Sequence, residues 1–177
     1  MAHGVFGLIH RAPAIAAAAT LLAMVLCVSC GARTAGDAPR TEKVTIEGET
    51  FNLELAIDDA SRSKGLGGRT AIPDAGGMLF VFPDAQVRRF WMLDCTIDID
   101  IMFLDPLGIV TAVHRMTADP QRPGESREAY EARLRMYSSL ARSQFAIELK
   151  AGSIDRLGVK TGDKIELDRR RLKSITR

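Results

Sequence analysis

Residues 76–105, GGMLFVFPDAQVRRFWMLDCTIDIDIMFLD, set two dense apolar runs close together with a row of aspartates between them. Met78 to Phe82 is continuously apolar and ends at Pro83, which predicts a short strand buried on both faces. From Trp91 to Phe103 every odd position is apolar: Trp91, Leu93, Cys95, Ile97, Ile99, Ile101 and Phe103. The even positions include Asp94, Thr96, Asp98 and Asp100. Side chains alternate faces along a strand, so this pattern predicts a β-core with its aspartates on one face. A strand spanning the whole stretch would exceed the usual ~3–10 residues, so a break is expected near Asp94–Asp98. The segment therefore commits the chain to a β-rich core with an acidic rim.

The remainder of the chain extends that expectation. Val44 and Ile46, then Phe51, Leu53, Leu55 and Ile57, alternate with polar residues across Glu47-Gly48-Glu49, a hairpin pattern. Asp58 or Asp59 can cap a short helix that runs to Lys64 and stops at Gly65. Ile72–Gly77 is a turn cluster, and a further strand is expected to start near Arg89. Asp105-Pro106-Leu107-Gly108 has the preferences of a type I turn and predicts a hairpin between Ile99–Leu104 and Ile109–His114. Asp119–Glu125 is loop, and Ser126–Tyr137 is expected to be helical. Phe145–Leu149 and Lys164–Leu167 are the last expected strands, joined by a helical turn near Ser153–Leu157. Short strands with regular turns and little helix predict a mostly β domain, a compact barrel or jelly-roll-like sandwich with two or three short helices.

The first thirty residues are not expected to belong to that fold. His3, His10 and Arg11 precede Ala14–Val28, which is apolar apart from Thr20, and Ser29-Cys30-Gly31 follows. This is the layout of a secretory signal, and the run is shorter than the ~20 residues of a membrane-spanning helix. Its end resembles a bacterial lipobox, which predicts lipidation of Cys30, although Cys27 stands where leucine is usual. The alternative is cleavage nearby with Cys30 a free thiol. Lipid attachment would anchor the chain to a bacterial envelope membrane, in the periplasm or on an outer face. Residues 31–42 read as a tether, 43–168 as the β-rich domain and 169–177 as a basic tail. Without the signal the chain keeps 23 basic residues (24 less Arg11) against 22 acidic ones. That balance leaves no footprint for nucleic acid. Cys95 would be the last cysteine, so the domain is expected to stand on its core without a disulfide.

Several ordered motifs then resemble one family. They are Lys64-Gly65-Leu66-Gly67-Gly68-Arg69, Gly77 to Pro83, Phe90-Trp91-Met92, Asp100 to Asp105, Ala146 to Gly152, Leu157-Gly158-Val159 and Gly162-Asp163. Together they resemble the domain of unknown function 192 family over about Phe51 to Leu167. The resemblance implies a compact β-rich domain, often behind a signal or lipoprotein leader, and no established activity. Three positions depart from the family pattern. Gly76 replaces a usual acidic residue, Asp94-Cys95 stands where Asn-Thr or Asn-Cys is common, and Asp98 replaces a frequent proline. Met116–Ser143 is longer than in short relatives and is expected to cover one end of the barrel.

The candidate chemistry is sparse. Arg69 follows a Gly-rich turn and could hold a carboxylate or phosphate bidentately, or equally pair with an aspartate of the domain. Asp94, Asp98 and Asp100 could form a ligand-binding rim, but they lack calcium-loop spacing, so no metal and no cofactor is expected. Solvation or local backbone bonding of these aspartates is the simpler account. His114 lacks a sequence-evident nucleophile partner, and Cys95 falls on the apolar set as an inert thiol. Trp91 shares that apolar parity and is expected in the core, with Phe90 the more exposed ring. The leading expectation is a non-catalytic, envelope-anchored binding module for a small ligand or protein partner, working through Arg69, Asp94, Asp98 and Asp100. A metal-assisted hydrolase using His114 with Asp94, Asp98 or Asp100, and a structural protein without ligand, stay open beside it.

Overall fold

The computed structural model describes residues 40–177. The leader, Cys30 and all but the end of the tether lie outside the described residues. Six strands form one sheet: β1 (Thr41–Ile46), β2 (Glu49–Ala56), β3 (Gly76–Phe90), β4 (Ile99–Leu104), β5 (Val110–Met116) and β6 (Tyr137–Lys150). Four short helices accompany them: α1 (Asp59–Lys64), α2 (Arg127–Arg133), α3 (Ser153–Leu157) and α4 (Arg169–Ile175). The strand order is β1-β2-β3-β6-β4-β5. Only β2 and β3 run parallel, joined by a crossover that contains α1; all other neighbours are antiparallel. The mostly β class holds. The sheet is open, with β1 and β5 at its edges rather than paired into a barrel.

Local sequence explains the elements. Glu47 and Gly48 both take positive φ, 47° and 82°, the backbone twist that a two-residue hairpin needs between β1 and β2. In α1, the Asp58 carboxylate accepts from Ser61 N–H while the Ser61 hydroxyl accepts from Asp58 N–H, a reciprocal cap. The Ser61 N–H on the carboxylate, with the Ser61 side chain beside it, holds the Asp58 carboxyl below its usual range.

Alternation along the central strands builds two cores, one on each face. Leu79, Val81, Met102, Leu104, Phe145, Ile147 and Leu149 join Phe51 and Leu53 on the first face, closed by Ile154 of α3 and Leu172 of α4. Met78, Phe80, Phe82, Ile99, Ile101, Phe103 and Ala146 face the other way with Met92, Cys95 and Tyr137. Burial on both faces explains why β4 reads as apolar and unbroken apart from Asp100.

Five expectations are corrected. Pro83 does not end β3, because the register with β6 shifts between Val81 and Gln86. Proline is tolerated at such a bulge, where no ladder donor is required. The Phe82 and Pro83 carbonyls there accept from Gln144 Nε2. Arg89 accordingly lies near the end of β3 rather than at the start of a strand. The helix capped by Ser126 stops at Arg133, and Tyr137 opens a β6 that begins well before Phe145. Lys164–Leu167 reduces to a single bridge between Lys164 and Ile109. The basic run at the C-terminus is the helix α4, amphipathic around a fully buried Leu172.

Candidate functional site

Strand β6 carries a charged residue in an otherwise apolar row. Glu148 pairs in register with Met78 of β3 and Ile101 of β4, and its side chain shares the face of Ala146 and Phe80. It is 5% exposed. Its Oε2 has no hydrogen-bond partner among the described residues. Burial outweighs the opposing influence of the Leu66 N–H and pushes the carboxyl up to about 8. At neutral pH the group is therefore mostly a protonated, neutral acid.

A cleft of about 250 Å³ opens above it. One wall is the end of α1 and the Gly65-Leu66-Gly67 turn; the other is Phe90, Trp91, Leu93 and Cys95. Phe80 and Phe82 complete the apolar lining. Gly65 ends α1 at φ +50°, and a Cβ there would lie 3.7 Å from Glu148 Oε2 and 3.4 Å from Phe80. Glycine thus both closes the helix and keeps the approach to the carboxyl open. The Phe90 ring stands edge-on to Phe80 and Phe103, at 4.9 and 5.3 Å between centroids. At the mouth, Lys64 and Arg89 are exposed, and neither has an ion-pair partner among the described residues. Arg62, by contrast, is committed to the Val81 carbonyl, Asp59 and the Arg177 carbonyl.

The two walls are tied to each other. Gly68 N–H donates to the Asp94 carbonyl at 2.9 Å, and the Thr96 hydroxyl donates to the Arg69 carbonyl at 3.0 Å. Asp94 takes φ +56° and donates its N–H to the hydroxyl of Tyr130, a fully buried residue of α2. The long Met116–Ser143 segment thereby braces the loop that walls the cleft.

The residues singled out in the sequence are dispersed. Arg69 pairs with Glu54 at 2.6 Å. Asp94 is exposed and meets Arg127 through both carboxylate oxygens, at 2.8 and 3.1 Å. Asp98 accepts from Ala118 N–H. Asp100 is buried on the opposite face, where Oδ2 accepts from Ile154 N–H of α3 and Oδ1, which makes no hydrogen bond, lies 3.5 Å from Arg115 Nε. The four therefore do not share one face. Residues 91–98 are a loop, so strand parity does not reach across them. For the same reason Trp91 is the exposed ring at 37%, and Phe90 is the packed one, reversing the expectation for this pair.

Nucleophilic chemistry has little to work with here. His114 Nε2 donates to the Ser138 carbonyl at 2.7 Å rather than meeting a serine hydroxyl. Burial, with Glu148 and Asp94 nearby, pushes the Cys95 thiol up to about 11, which keeps it protonated. Among the described residues no three His, Cys, Asp or Glu side chains converge on a metal-sized site. What the cleft offers is recognition: a desolvated carboxyl at the base, aromatic walls and two cations at the mouth.

Glu148 is the candidate residue that sequence patterning passes over. Its signal was present, since a lone charge in Phe145–Leu149 falls on a core-facing position where Glu is rarely left unpaired.

Comparison with known proteins finds a family profile, domain of unknown function 192, described as Uncharacterized ACR, matching residues 42–167. No curated protein matches. Two solved structures share the fold. A proposed transcription regulator from Sinorhizobium meliloti 1021 is 29% identical with a TM-score of 0.58, covering 72% of this chain and 94% of that one. A protein of unknown function from Novosphingobium aromaticivorans DSM 12444 is 27% identical with a TM-score of 0.61, covering 75% and 89%.

Proposed function

The chain belongs to the domain of unknown function 192 family, and we propose that it is a non-catalytic, envelope-anchored binding module whose small-ligand site is the Glu148 cleft. The observation that carries this reading is the unpartnered Oε2 of Glu148 at the base of an open aromatic cleft. Buried polar atoms in folded proteins are almost always hydrogen-bonded, and one left unpartnered beneath a cleft is a candidate contact for a ligand. Desolvation together with a strongly shifted carboxyl is a further mark of a functional position.

The site is thus moved from Arg69, Asp94, Asp98 and Asp100, whose partners lie within the domain, to Glu148, Lys64 and Arg89. The raised Cys95 thiol and the carbonyl-bound His114 favour binding over hydrolysis. Envelope attachment rests on the apolar run Ala14–Val28 followed by Ser29-Cys30-Gly31.

A thermal-shift screen of a small-molecule fragment collection against the wild type and Glu148→Gln tests the site, because any ligand of the folded state stabilises it by mass action. Fragments that stabilise the wild type and not the variant are the expected result. Equal stabilisation of both would remove Glu148 from the site. For the anchor, intact mass of the membrane-extracted protein is expected to show a lipid-modified Cys30 at the N-terminus. An unmodified Cys30 thiol would contradict it.

A further inference from the structure

Resting on the reading of the cleft as a ligand site, the geometry points to a small zwitterion as its occupant: an amine seated on Glu148, with a carboxylate or phosphate at its far end held by Lys64 and Arg89. Each part of the ligand answers a part of the cleft. The base holds one acid whose Oε2 lacks a partner and whose surroundings are the rings of Phe80 and Phe90. An acid among aromatic rings suits an ammonium group, which gains a charge-assisted hydrogen bond and attraction from the ring faces. The mouth has the opposite sign. Lys64 and Arg89 are exposed, lack ion-pair partners among the described residues, and stand where an anionic end would emerge. A cleft of about 250 Å³ takes a molecule of roughly ten heavy atoms, not a polymer. Trp91 and Leu93 also line the cleft and suit a short aliphatic or planar linker.

Binding an ammonium requires Glu148 to give up its proton. The proton leaves the carboxyl for solvent as the N–H···O bond forms, so affinity rises with pH until Glu148 is ionised in the free protein. A ligand that instead offered a carbonyl to the neutral acid would bind more weakly as pH rises. Other groups on this face are Glu54 with Arg69 from one side, Arg62 and Lys64 from α1, and Arg89 from β3. Asp94 and Cys95 come from the loop, and His114 from β5, paired with Ile101 two strands across from Glu148. Histidine is the type that ordinarily titrates in the same range, so His114→Gln serves as its control.

Trp91 is the single tryptophan of the chain and borders the cleft, so its fluorescence reports occupancy directly. The full chain in detergent is titrated with γ-aminobutyrate and phosphoethanolamine, and with butylamine, butyrate and butyramide as partial mimics. Calorimetry in buffers of different ionisation heat counts the protons released. A zwitterion is expected to bind more tightly than each partial mimic. Its affinity should rise close to tenfold per pH unit between about 6 and 7.5, with nearly one proton released at pH 7. His114→Gln is expected to leave both intact. Glu148→Gln should weaken binding at least tenfold and abolish proton release. Lys64→Ala with Arg89→Ala should bring the zwitterion down to the affinity of butylamine.

Phosphatidylethanolamine vesicles, against phosphatidylglycerol ones, separate a lipid headgroup from a free solute as the source. Quenching or enhancement of Trp91 by the former alone identifies a headgroup, and a response to the free zwitterions alone identifies a solute. The inference is overturned if butyramide or butyrate binds more tightly than both zwitterions, or if affinity falls with pH. If Glu148→Gln fails to fold, proton release by the wild type still decides the matter. The broader reading survives when butyramide or butyrate occupies the cleft, and fails as well when none of the five compounds does.

Discussion

Two carboxyls lie buried on opposite faces of one sheet, in neighbouring rows. Asp100 and Ile101 are consecutive in β4, and their partners in β6 are Leu149 and Glu148. Asp100 therefore points into the first core and Glu148 into the second. On the first face α3 presents Ile154 N–H at 2.9 Å and Arg115 stands nearby, so Asp100 fastens a helix to the sheet. On the second face no helix among the described residues closes over Glu148; the end of α1, a glycine turn and a loop wall a cleft instead. Each carboxyl keeps one buried oxygen without a hydrogen bond, Asp100 Oδ1 and Glu148 Oε2, but only Asp100 has a helix N–H and a guanidinium beside it. What separates them is the partner supplied by the next element of the chain: α3 and Arg115 fasten Asp100, and no such pair reaches Glu148 among the described residues.

That contrast yields graded expectations. The largest concerns the pH dependence of Glu148. Its folded-state carboxyl sits at about 8 against an ordinary 4.5, so the folded protein binds the proton more tightly than the unfolded chain. Stability is greatest below the unfolded value and is lost as pH rises toward the folded one. The loss is at most about 5 kcal/mol between pH 4.5 and 8, measurable by urea unfolding across that range. Glu148→Gln should flatten this slope, and an unchanged slope would break the contrast. Next, Asp100→Ala strands the Ile154 N–H and should cost roughly 1–3 kcal/mol in the same assay, with amide exchange in α3 accelerated. A smaller loss, about 1 kcal/mol, is expected for Tyr130→Phe, which removes the hydroxyl that receives Asp94 N–H. It should also weaken ligand binding in the cleft, since the loop that walls it is loosened. The smallest effect belongs to Arg127→Ala. Its bidentate contact with Asp94 is exposed, and the unfolding midpoint should move little.

Much of the fold was legible because alternation and turn chemistry act locally. Val44 to Ile57 foretold β1 and β2, Asp58 and Gly65 marked the ends of α1, and Asp105 to Gly108 placed the turn before β5. Pro83 misled because its missing N–H matters only where a ladder bond is due, and a register shift there removes that need. Tyr137 reads as the end of a helix and Ser138 to Gln144 as no strand, because the strand character of this stretch depends on pairing with the distant end of β3, which no local pattern reveals. The aspartates misled in a related way. A parity that held for β4 was carried into residues 91–98, where the backbone leaves the strand, so Trp91 and Phe90 exchanged places. Glu148 lay inside a run that otherwise reads as plain core. Whether a buried acid is matched or unmatched depends on α3, Arg115 and the Gly65 turn, all remote in sequence from the carboxyls they face.

On the proposed reading, Glu148 is a buried acid without a sufficient partner, held neutral until a ligand arrives. Carbon-13 NMR titration of its side-chain carboxyl, assigned by comparison with Glu148→Gln, tests this most directly. The account predicts a neutral carboxyl at pH 7 that titrates near 8. A carboxyl that titrates near the ordinary 4.5 would mean that solvent or an internal partner already satisfies it, and would contradict the account.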